Sequence, residues 1–387
     1  AVKNATPIIA GELPTDQLGV SAADDKTLVV ELDRPVTYFL NLMTFPSFCP
    51  INEAYATEKG SQYALGADNL LCCGPFYMSA WDVGGNTYQL KKNPDYYDAD
   101  KVKLDVINFQ IITDPQQTML AYENGDLDYV RLSGEQISKY EAMEGFTRIE
   151  EGYLWYLSCN LNPKSPEYSC GLENENLRKA IAMCYDKDTI CYEILKDGSV
   201  PANFAIPNRL ATGPDGKDFR ETAGTYLEMD KEAALACWEA AKTELGVDEV
   251  TIELLYDDSD STPLIAQYLQ SEIENTLPGV HLSLKAQPKK SRTELMQNRE
   301  YQLGLTRWGP DYSDPMTYLD MWTTGSTYNY GEWSSEEYDK LIQEANTTLA
   351  NDPEARWENL KQAEKLVMDH AVILPVYQKG TAAMVRP

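Results

Sequence analysis

The fold is decided by residues 251–308, which read TIELLYDDSDSTPLIAQYLQSEIENTLPGVHLSLKAQPKKSRTELMQNREYQLGLTRW. Predicted strands and helices alternate along this stretch: strand 251–256, helix 263–277, strand 280–286, helix 292–299 and strand 301–308. Such alternation is typical of an α/β domain, because each helix carries the chain back across the sheet to start the next strand in the same direction. We therefore predict an α/β fold with a largely parallel sheet.

Helices with recognisable end signals lie on both sides of this stretch. Asp230 and Asp352 are predicted N-caps, and Gly125 and Gly246 are predicted to end helices. Further predicted N-caps are Asn176, Asp186 and Ser334, the last forming a capping box with Glu337. Closer to the N-terminus the chain is richer in strands, predicted at 27–32, 76–81, 87–91 and 106–112. This part is predicted to be a mixed sheet domain.

Charge and composition exclude some functions. The 387 residues include 33 basic and 61 acidic ones, so the formal net charge is 33 − 61 = −28. A broadly basic surface that grips nucleic acid is therefore excluded, and no nucleic-acid partner is expected. With 43% hydrophobic residues the chain can bury large cores, and its length predicts two or three domains.

The sequence lacks the usual catalytic and metal-binding motifs. The eight cysteines form no C-x-x-C pair, and we interpret them mainly as buried thiols, with a Cys159–Cys170 disulfide as the alternative. Only two histidines are present, His281 and His370, which argues against a histidine-based triad or metal cluster. We predict no cofactor and no enzymatic activity, although the many carboxylates leave a carboxylate-based hydrolase open as an alternative.

A series of short motifs runs through the whole chain. In order they are the run from Leu18 to Leu28, Gly74–Phe76, Lys92–Tyr97, Tyr122–Asp128, Asn176–Ile181 with Asp186 and Lys187, Trp308–Pro315, Glu337–Ile342 and Ile373–Tyr377. Together they resemble the extracytoplasmic solute-binding proteins of ABC importers, specifically the large peptide-binding class, bacterial extracellular solute-binding protein family 5. The resemblance implies a periplasmic-binding-protein-like α/β fold of type II, in the three-lobe form, with two main lobes around a hinge.

The resemblance also implies a division of this chain into lobes. Residues 1–45 match a remnant of lobe II, residues 46–152 and 372–387 an incomplete lobe I, and residues 153–371 lobe III. Lobe II is thus expected to be truncated and lobe III to be whole, because the family's N-terminal portion precedes the point where this chain begins. A complementary N-terminal fragment is accordingly among the predicted partners.

The function implied by the resemblance is peptide capture for an ABC importer. In the family an extended peptide lies in a cleft between lobes, pairs its backbone with strands and is enclosed by hinge closure. The predicted partners are a peptide ligand and the membrane permease, and the predicted location is extracytoplasmic, as a cell-surface lipoprotein or in the periplasm. An alternative ligand is another solute, such as an oligosaccharide or a metal chelate.

The predicted site centres on the end of the strand 301–308. By resemblance, Asp311 matches the acidic anchor for the peptide α-amino group, and Arg307, Trp308 and Gly309 match the segment that pairs with the peptide backbone. Asp311 also follows the C-terminal end of a strand, where open α/β sheets bind ligands. The alternative is that the Asp311 side chain caps the turn that it begins.

Other candidate residues have equally ordinary alternatives. Trp308 is either a wall against the peptide or a core residue, and Arg307 either meets a peptide carboxylate or remains at the surface. Asn329 is either an amide donor to the ligand or a turn former. Arg131 and Leu132 match a stretch near the cleft, although their side chains differ from the family's polar pattern.

Overall fold

The protein is described by a computed structural model that covers residues 2–162, 168–258 and 261–386. The chain divides into two compact units. The first unit comprises Ala1–Phe45 and Ser133–Ala382, and the second comprises Pro46–Leu132 and Ala383–Pro387. The lobe boundaries implied by the family resemblance stay a prediction.

The strands and helices of the described residues are numbered in chain order. The strands are β1 Val20–Asp24, β2 Thr27–Val30, β3 Phe76–Trp81, β4 Thr87–Lys92, β5 Val106–Gln110, β6 Tyr129–Leu132, β7 Phe146–Cys159, β8 Val200–Pro201, β9 Val250–Asp257, β10 Val280–Gln287, β11 Leu303–Trp308 and β12 Ile373–Val385. The helices are α1 Ala5–Ile9, α2 Phe39–Leu42, α3 Glu53–Lys59, α4 Pro115–Asn124, α5 Glu135–Tyr140, α6 Glu175–Met183, α7 Phe219–Thr222, α8 Lys231–Leu245, α9 Thr262–Thr276, α10 Lys289–Gln297, α11 Met316–Leu319, α12 Glu336–Asn346 and α13 Pro353–Asp369. A π-helix spans Thr189–Leu195.

A mixed sheet forms the centre of the first unit, with its strands in the order β10-β9-β11-β7-β12. β9 is parallel to both β10 and β11, as the alternation of strands and helices predicts. β11 is antiparallel to β7, and β12 is antiparallel to the short strand β8. The prediction of a largely parallel sheet is therefore wrong outside β9–β11, because the strands that complete the sheet come from distant parts of the chain.

The sheet is covered on both faces, and alternate residues of β7 show how. Trp155 belongs to one hydrophobic cluster, together with Trp238 of α8. Its neighbour Leu154 belongs to a second cluster, together with Leu360 of α13. Because successive side chains of a strand point to opposite faces, one strand contributes to both cores. This arrangement explains why the residues of β7 from Leu154 to Cys159 are buried without interruption.

Several predicted helix ends are confirmed by their capping contacts. The Asp230 side chain accepts from the backbone N–H of Ala233 at 2.9 Å, and α8 ends at Gly246 with a φ of 68°. The Asp352 side chain accepts from Ala355 N at 3.0 Å. Gly125 ends α4 with a φ of 88°, a left-handed conformation that glycine adopts without strain.

Other predicted helix starts are wrong. α6 begins after Asn174, not after Asn176. α12 begins after Ser335, not after Ser334. The predicted capping box at Ser334 is replaced by a single hydrogen bond, which Tyr338 N donates to Ser335 Oγ. Asp186 does not cap an α-helix, since the following turn is the π-helix, and its carboxylate accepts from Asp188 N at 2.9 Å.

The second unit contains a three-stranded antiparallel sheet in the order β3-β4-β5, followed by α4. β6 pairs with β12, whose last residues belong to this unit. Next to β6, the backbone N–H of Arg386 donates to the Asp128 carbonyl at 2.8 Å. Among the described residues of both units, the structure contains no helix with the length and apolar content needed to cross a membrane.

The predicted strand 27–32 forms part of a small hairpin instead of a core strand. β2 pairs only with β1 in an antiparallel two-stranded sheet, and all five residues of β1 are exposed. The side chain of Leu28 is 63% exposed. The alternation in this strand therefore does not mark a buried face within the described chain.

Each of the eight cysteines, all of which lie in the described residues, has a free thiol. Cys159 is buried, and loss of water raises its pKa to about 12, which makes it unreactive at neutral pH. The alternative Cys159–Cys170 disulfide is not formed. The interpretation as buried thiols is wrong for Cys49 and Cys73, whose side chains are exposed.

Candidate ligand-binding site

One backbone edge of β11 is open near its C-terminal end. On one side, all six residues from Leu303 to Trp308 pair with β7. On the other side, β9 accompanies β11 only at Leu303 and Gly304. Within the described residues, the β9-facing edge of Leu305–Trp308 therefore has no strand partner. Such an edge is suited to pairing with an added strand.

The chain folds back beneath the end of β11 and holds it in place. The indole N–H of Trp308 donates to the Thr317 carbonyl at 2.9 Å, and the hydroxyl of Tyr318 lies 3.1 Å from the Trp308 carbonyl oxygen. Gly309 packs directly on Tyr153, and a Cβ at this position would overlap the tyrosine ring. The position after β11 thus requires glycine for a close approach.

Asp314, and not Asp311, caps the turn that follows β11. The Asp314 side chain is buried, and its Oδ1 accepts from Met316 N at 2.9 Å. Both of its oxygens accept from Arg356, at 2.8 and 2.9 Å, in a bidentate ion pair. The alternative role of Asp311 as the cap of this turn is therefore wrong.

The carboxylate of Asp311 is exposed and has no hydrogen-bond or ion-pair partner among the described residues. Its backbone N–H, by contrast, donates to the Thr317 hydroxyl at 3.0 Å. The backbone is therefore anchored while the charged group is left available. A carboxylate in this state can accept hydrogen bonds from a cationic ligand.

The Asp311 carboxylate lines a cavity of about 430 Å³, which we call the Asp311 cavity. Three aromatic residues, Trp308, Tyr312 and Tyr328, and a second carboxylate, Asp320, also line it. Further lining side chains carry hydroxyls, from Thr317, Thr323, Ser326 and Thr327. The rings of Trp308 and Tyr328 pack edge to face, with centroids 4.7 Å apart.

The electrostatics of the Asp311 cavity disfavour the negative charges that it carries. Loss of water raises the pKa of the Asp311 carboxyl above its ordinary value. The pKa of Asp320 is also raised, first by loss of water and then by the charge of Asp311, while Arg34 lowers it. Both side chains keep solvent contact, so water screens part of each effect. A bound cation would stabilise the ionised form of both carboxylates.

Trp308 packs against the second hydrophobic cluster, which is its predicted core role, and it also lines the Asp311 cavity. Its contact with a peptide stays a prediction. Arg307 points to another cavity, of about 310 Å³, where its guanidinium carbon lies 4.9 Å from the centroid of the Trp155 ring. Within the described residues Arg307 has no ion-pair partner. Its contact with a peptide carboxylate stays a prediction.

The remaining predicted site residues have other surroundings. The Asn329 side chain is buried; its amide donates to the Trp333 carbonyl at 2.7 Å, and its oxygen accepts from Trp333 N at 3.1 Å. This is the turn-forming role. Arg131 and Leu132 lie on β6 in the second unit, Arg131 exposed and Leu132 buried. Ligand contacts by these three residues stay predictions.

Asp320, Tyr312 and Tyr328 also line the Asp311 cavity, although none of them was predicted from the sequence as a site residue. No local pattern marks them, since they come together only when the segment after β11 folds back. Tyr312 is held by stacking on Tyr38, with ring centroids 4.2 Å apart and planes 3° from parallel. Among the described residues no three His, Cys, Asp or Glu side chains are grouped so as to hold a metal ion.

Comparison with known proteins gives the family. Residues 2–330 match the model of the bacterial extracellular solute-binding proteins, family 5. The chain is 30% identical over its whole length to a dipeptide-binding protein of Lactococcus lactis and covers 72% of it. It is 29% identical to the dipeptide-binding protein DppE of Bacillus subtilis, with 95% of the chain covering 66% of that protein. The chain thus spans about two thirds to three quarters of these relatives.

Solved structures agree with this match. Listeria monocytogenes OppA bound to peptide is 34% identical, with a TM-score of 0.76, and the whole chain covers 74% of it. The substrate-binding domain of an oligopeptide ABC transporter from Bacillus anthracis is 38% identical, with a TM-score of 0.77 and the same coverage. The predicted periplasmic-binding-protein-like α/β fold of type II is confirmed. The relatives are named as binding proteins, and several are named as periplasmic. The chain belongs to the bacterial extracellular solute-binding proteins of family 5.

Proposed function

We propose that this chain is the peptide-binding component of an ABC importer and that Asp311 receives the α-amino group of the peptide. The observation that carries the proposal is the partnerless Asp311 carboxylate at the end of a strand whose edge is open. The relatives support it, since they are named as dipeptide- and oligopeptide-binding proteins.

In this proposal a peptide adds to β11 as an extra strand. Backbone pairing with Leu305–Trp308 supplies affinity that is independent of the peptide's sequence, because every residue offers the same N–H and C=O groups. Asp311 then sets the direction and starting point of the peptide, since only its first residue carries a free α-ammonium group. Arg307 adds a positive charge on the other side of the same strand end.

The chain binds and releases its ligand without chemical conversion, delivers it to a membrane permease and closes around it at a hinge. It acts outside the cytoplasm, in the periplasm or as a lipoprotein. A complementary N-terminal fragment is proposed as a further partner, with support from exposed apolar side chains such as Ile9 at 86% and Leu40 at 81%.

The first test is calorimetry with a short peptide that has free termini, such as trialanine. We expect saturable binding at one site, followed by recovery of the intact peptide in mass spectrometry. Hydrolysis of the peptide would favour the carboxylate-based hydrolase instead. An oligosaccharide or metal chelate that binds while a panel of peptides does not would overturn the peptide assignment.

The affinity for peptides is expected to fall as the pH is lowered. A bound ammonium group favours the ionised form of Asp311, so binding at low pH must first remove a proton. Since the pKa of Asp311 is raised, affinity is fully present above this pKa and is lost below it, beginning above the ordinary value of about 4. The loss is about tenfold per pH unit for each proton released.

Calorimetry between pH 4 and pH 7 checks this dependence, with thermal melting to confirm that the protein stays folded. A peptide acetylated at its α-amino group serves as the control and is expected to show little change. A Kd that is constant over the whole range would contradict the pairing of ammonium and Asp311.

A further inference from the structure

The Asp311 cavity has more negative charge than one ammonium group can balance. Asp311 and Asp320 both line it, and neither carboxylate has a hydrogen-bond or ion-pair partner among the described residues. No lysine, arginine or histidine is among the residues that line this cavity. Arg34 acts on Asp320 electrostatically, but its guanidinium donates to the Asn346 carbonyl at 3.5 Å. After an α-amino group has bound Asp311, Asp320 therefore keeps only the indirect effect of Arg34, with which it forms no ion pair among the described residues.

The walls of the cavity are suited to an organic cation. Trp308, Tyr312 and Tyr328 present aromatic rings, which attract ammonium groups over their faces and pack against the alkyl chain that carries them. A volume of about 430 Å³ lies within the range of small-molecule sites, roughly 300–1,000 Å³. The cavity is thus large enough for an amino-acid side chain beside the α-amino group.

A bare metal ion fits the same walls poorly. Calcium takes six to eight oxygen ligands as a rule, and magnesium requires a nearly octahedral set. Within the described residues the two carboxylates are not joined by a third His, Cys, Asp or Glu ligand. The hydroxyls and aromatic rings that complete the lining suit a ligand that combines charge with an apolar chain.

We propose that the Asp311 cavity selects peptides whose first residue carries a second amine, as lysine does, and that Asp320 is the residue that recognises the side-chain ammonium group. This inference rests on the proposed function, since it assigns the neighbouring Asp311 to the α-amino group. It adds a ligand class, peptides with a dicationic first residue, and a specificity-determining residue.

The test compares peptides that differ only at the first residue: lysine, norleucine or Nε-acetyl-lysine. Norleucine has the four-carbon chain of lysine without the terminal amine, and acetylation removes the charge while keeping a longer chain. For the wild-type protein we expect the lysine peptide to bind about tenfold more tightly than either neutral one. This preference is expected to shrink as the salt concentration rises, because both carboxylates keep solvent contact.

The variant Asp320→Asn is expected to lower the preference for lysine over norleucine from about tenfold to about onefold. The replacement keeps the size of the side chain, and the hydrogen bonds that hold this position run to the Asp320 backbone carbonyl. Asp248→Asn is the matched control, since Asp248 is exposed before β9 and lines none of these cavities. The control is expected to keep the full preference.

The possible results distinguish a failure of the lysine preference from a failure of peptide binding itself. If the wild-type protein binds all three peptides equally, or if Asp320→Asn keeps the lysine preference, the dication site is refuted while peptide binding stands. If none of the peptides binds the wild-type protein, the proposed function fails as well. Since the wild-type comparison needs no variant, the inference can be refuted even if Asp320→Asn does not fold.

Discussion

Replacing Asp311 by asparagine is expected to weaken the binding of peptides with a free α-amino group by roughly 30-fold to several thousand-fold. The carboxylate has no partner within the described part of the chain, so in the proposed complex the ligand's ammonium group becomes its main counter-charge. In the proposed closed complex the ligand covers this carboxylate. Removing one partner of a charge pair that has lost its water costs about 2–5 kcal/mol, mostly because the other charge is left unpaired. Asparagine keeps the shape and one acceptor, so the loss reports on charge.

A double-mutant cycle isolates this interaction. An α-acetylated peptide should bind the wild-type protein less well than the free peptide and be nearly indifferent to Asp311→Asn. The control Asp248→Asn removes the same charge from an exposed loop and should leave both affinities unchanged. If Asp311→Asn binds free and acetylated peptides as the wild type does, Asp311 is not the anchor, and the peptide's amino group is bound elsewhere.

Local sequence signals predicted the helices whose ends are determined by neighbouring residues. The predicted starts of α8 and α13 at Asp230 and Asp352 and the predicted ends of α4 and α8 at Gly125 and Gly246 are confirmed, because an Asp side chain or a glycine acts on the backbone a few residues away. The strands β9, β10 and β11 were likewise predicted from their apolar runs. Helix caps, helix-ending glycines and apolar runs all depend mainly on residues that are close in sequence.

Predictions failed where a distant residue decides between similar local choices. Asn174 and Asn176 are equivalent as caps in sequence, but Asn174 accepts from Leu177 N at 3.0 Å and starts α6. Both side-chain amides also donate to Glu244 of α8, at 2.7 Å from Asn174 and 3.0 Å from Asn176. The position of the two asparagines thus depends on packing between α6 and α8, which no local pattern contains.

The candidate site divides in the same way. Asp311 was found from the strand that precedes it and from the family resemblance. The role of Asp314 was not foreseen, since its partner Arg356 lies on α13, 42 residues further along the chain. Asp320 and Tyr328 reach the Asp311 cavity through the fold of the returning segment. The position of Asp311 at the end of β11 could therefore be predicted from the sequence, whereas the other residues that line the Asp311 cavity could not.

The ion pair between Arg356 and Asp314 is expected to be the most costly interaction to break in the segment that carries Asp311. Both residues are at most 8% exposed, and Arg356 also donates to the Ala345 carbonyl of α12 at 3.2 Å. Arg356→Leu leaves the Asp314 carboxylate buried without its partner, which should lower the free energy of unfolding by about 3–5 kcal/mol. In a unit of this size the melting temperature should fall by roughly 6–10 °C.

Two further variants show whether the loss comes from an unpaired buried charge. Lys340→Leu breaks the surface ion pair of α12 in which Lys340 Nζ lies 3.8 Å from Glu344 Oε1. This change should lower the free energy of unfolding by at most about 0.5 kcal/mol. The double variant Asp314→Asn, Arg356→Leu removes both charges but keeps an acceptor for Met316 N, so it should melt above Arg356→Leu alone. If the double variant is no more stable than Arg356→Leu, the cost lies in lost packing of the arginine side chain. In that case Asp311 is positioned by the packing of α13 against the segment after β11, and the charge of Asp314 is not required.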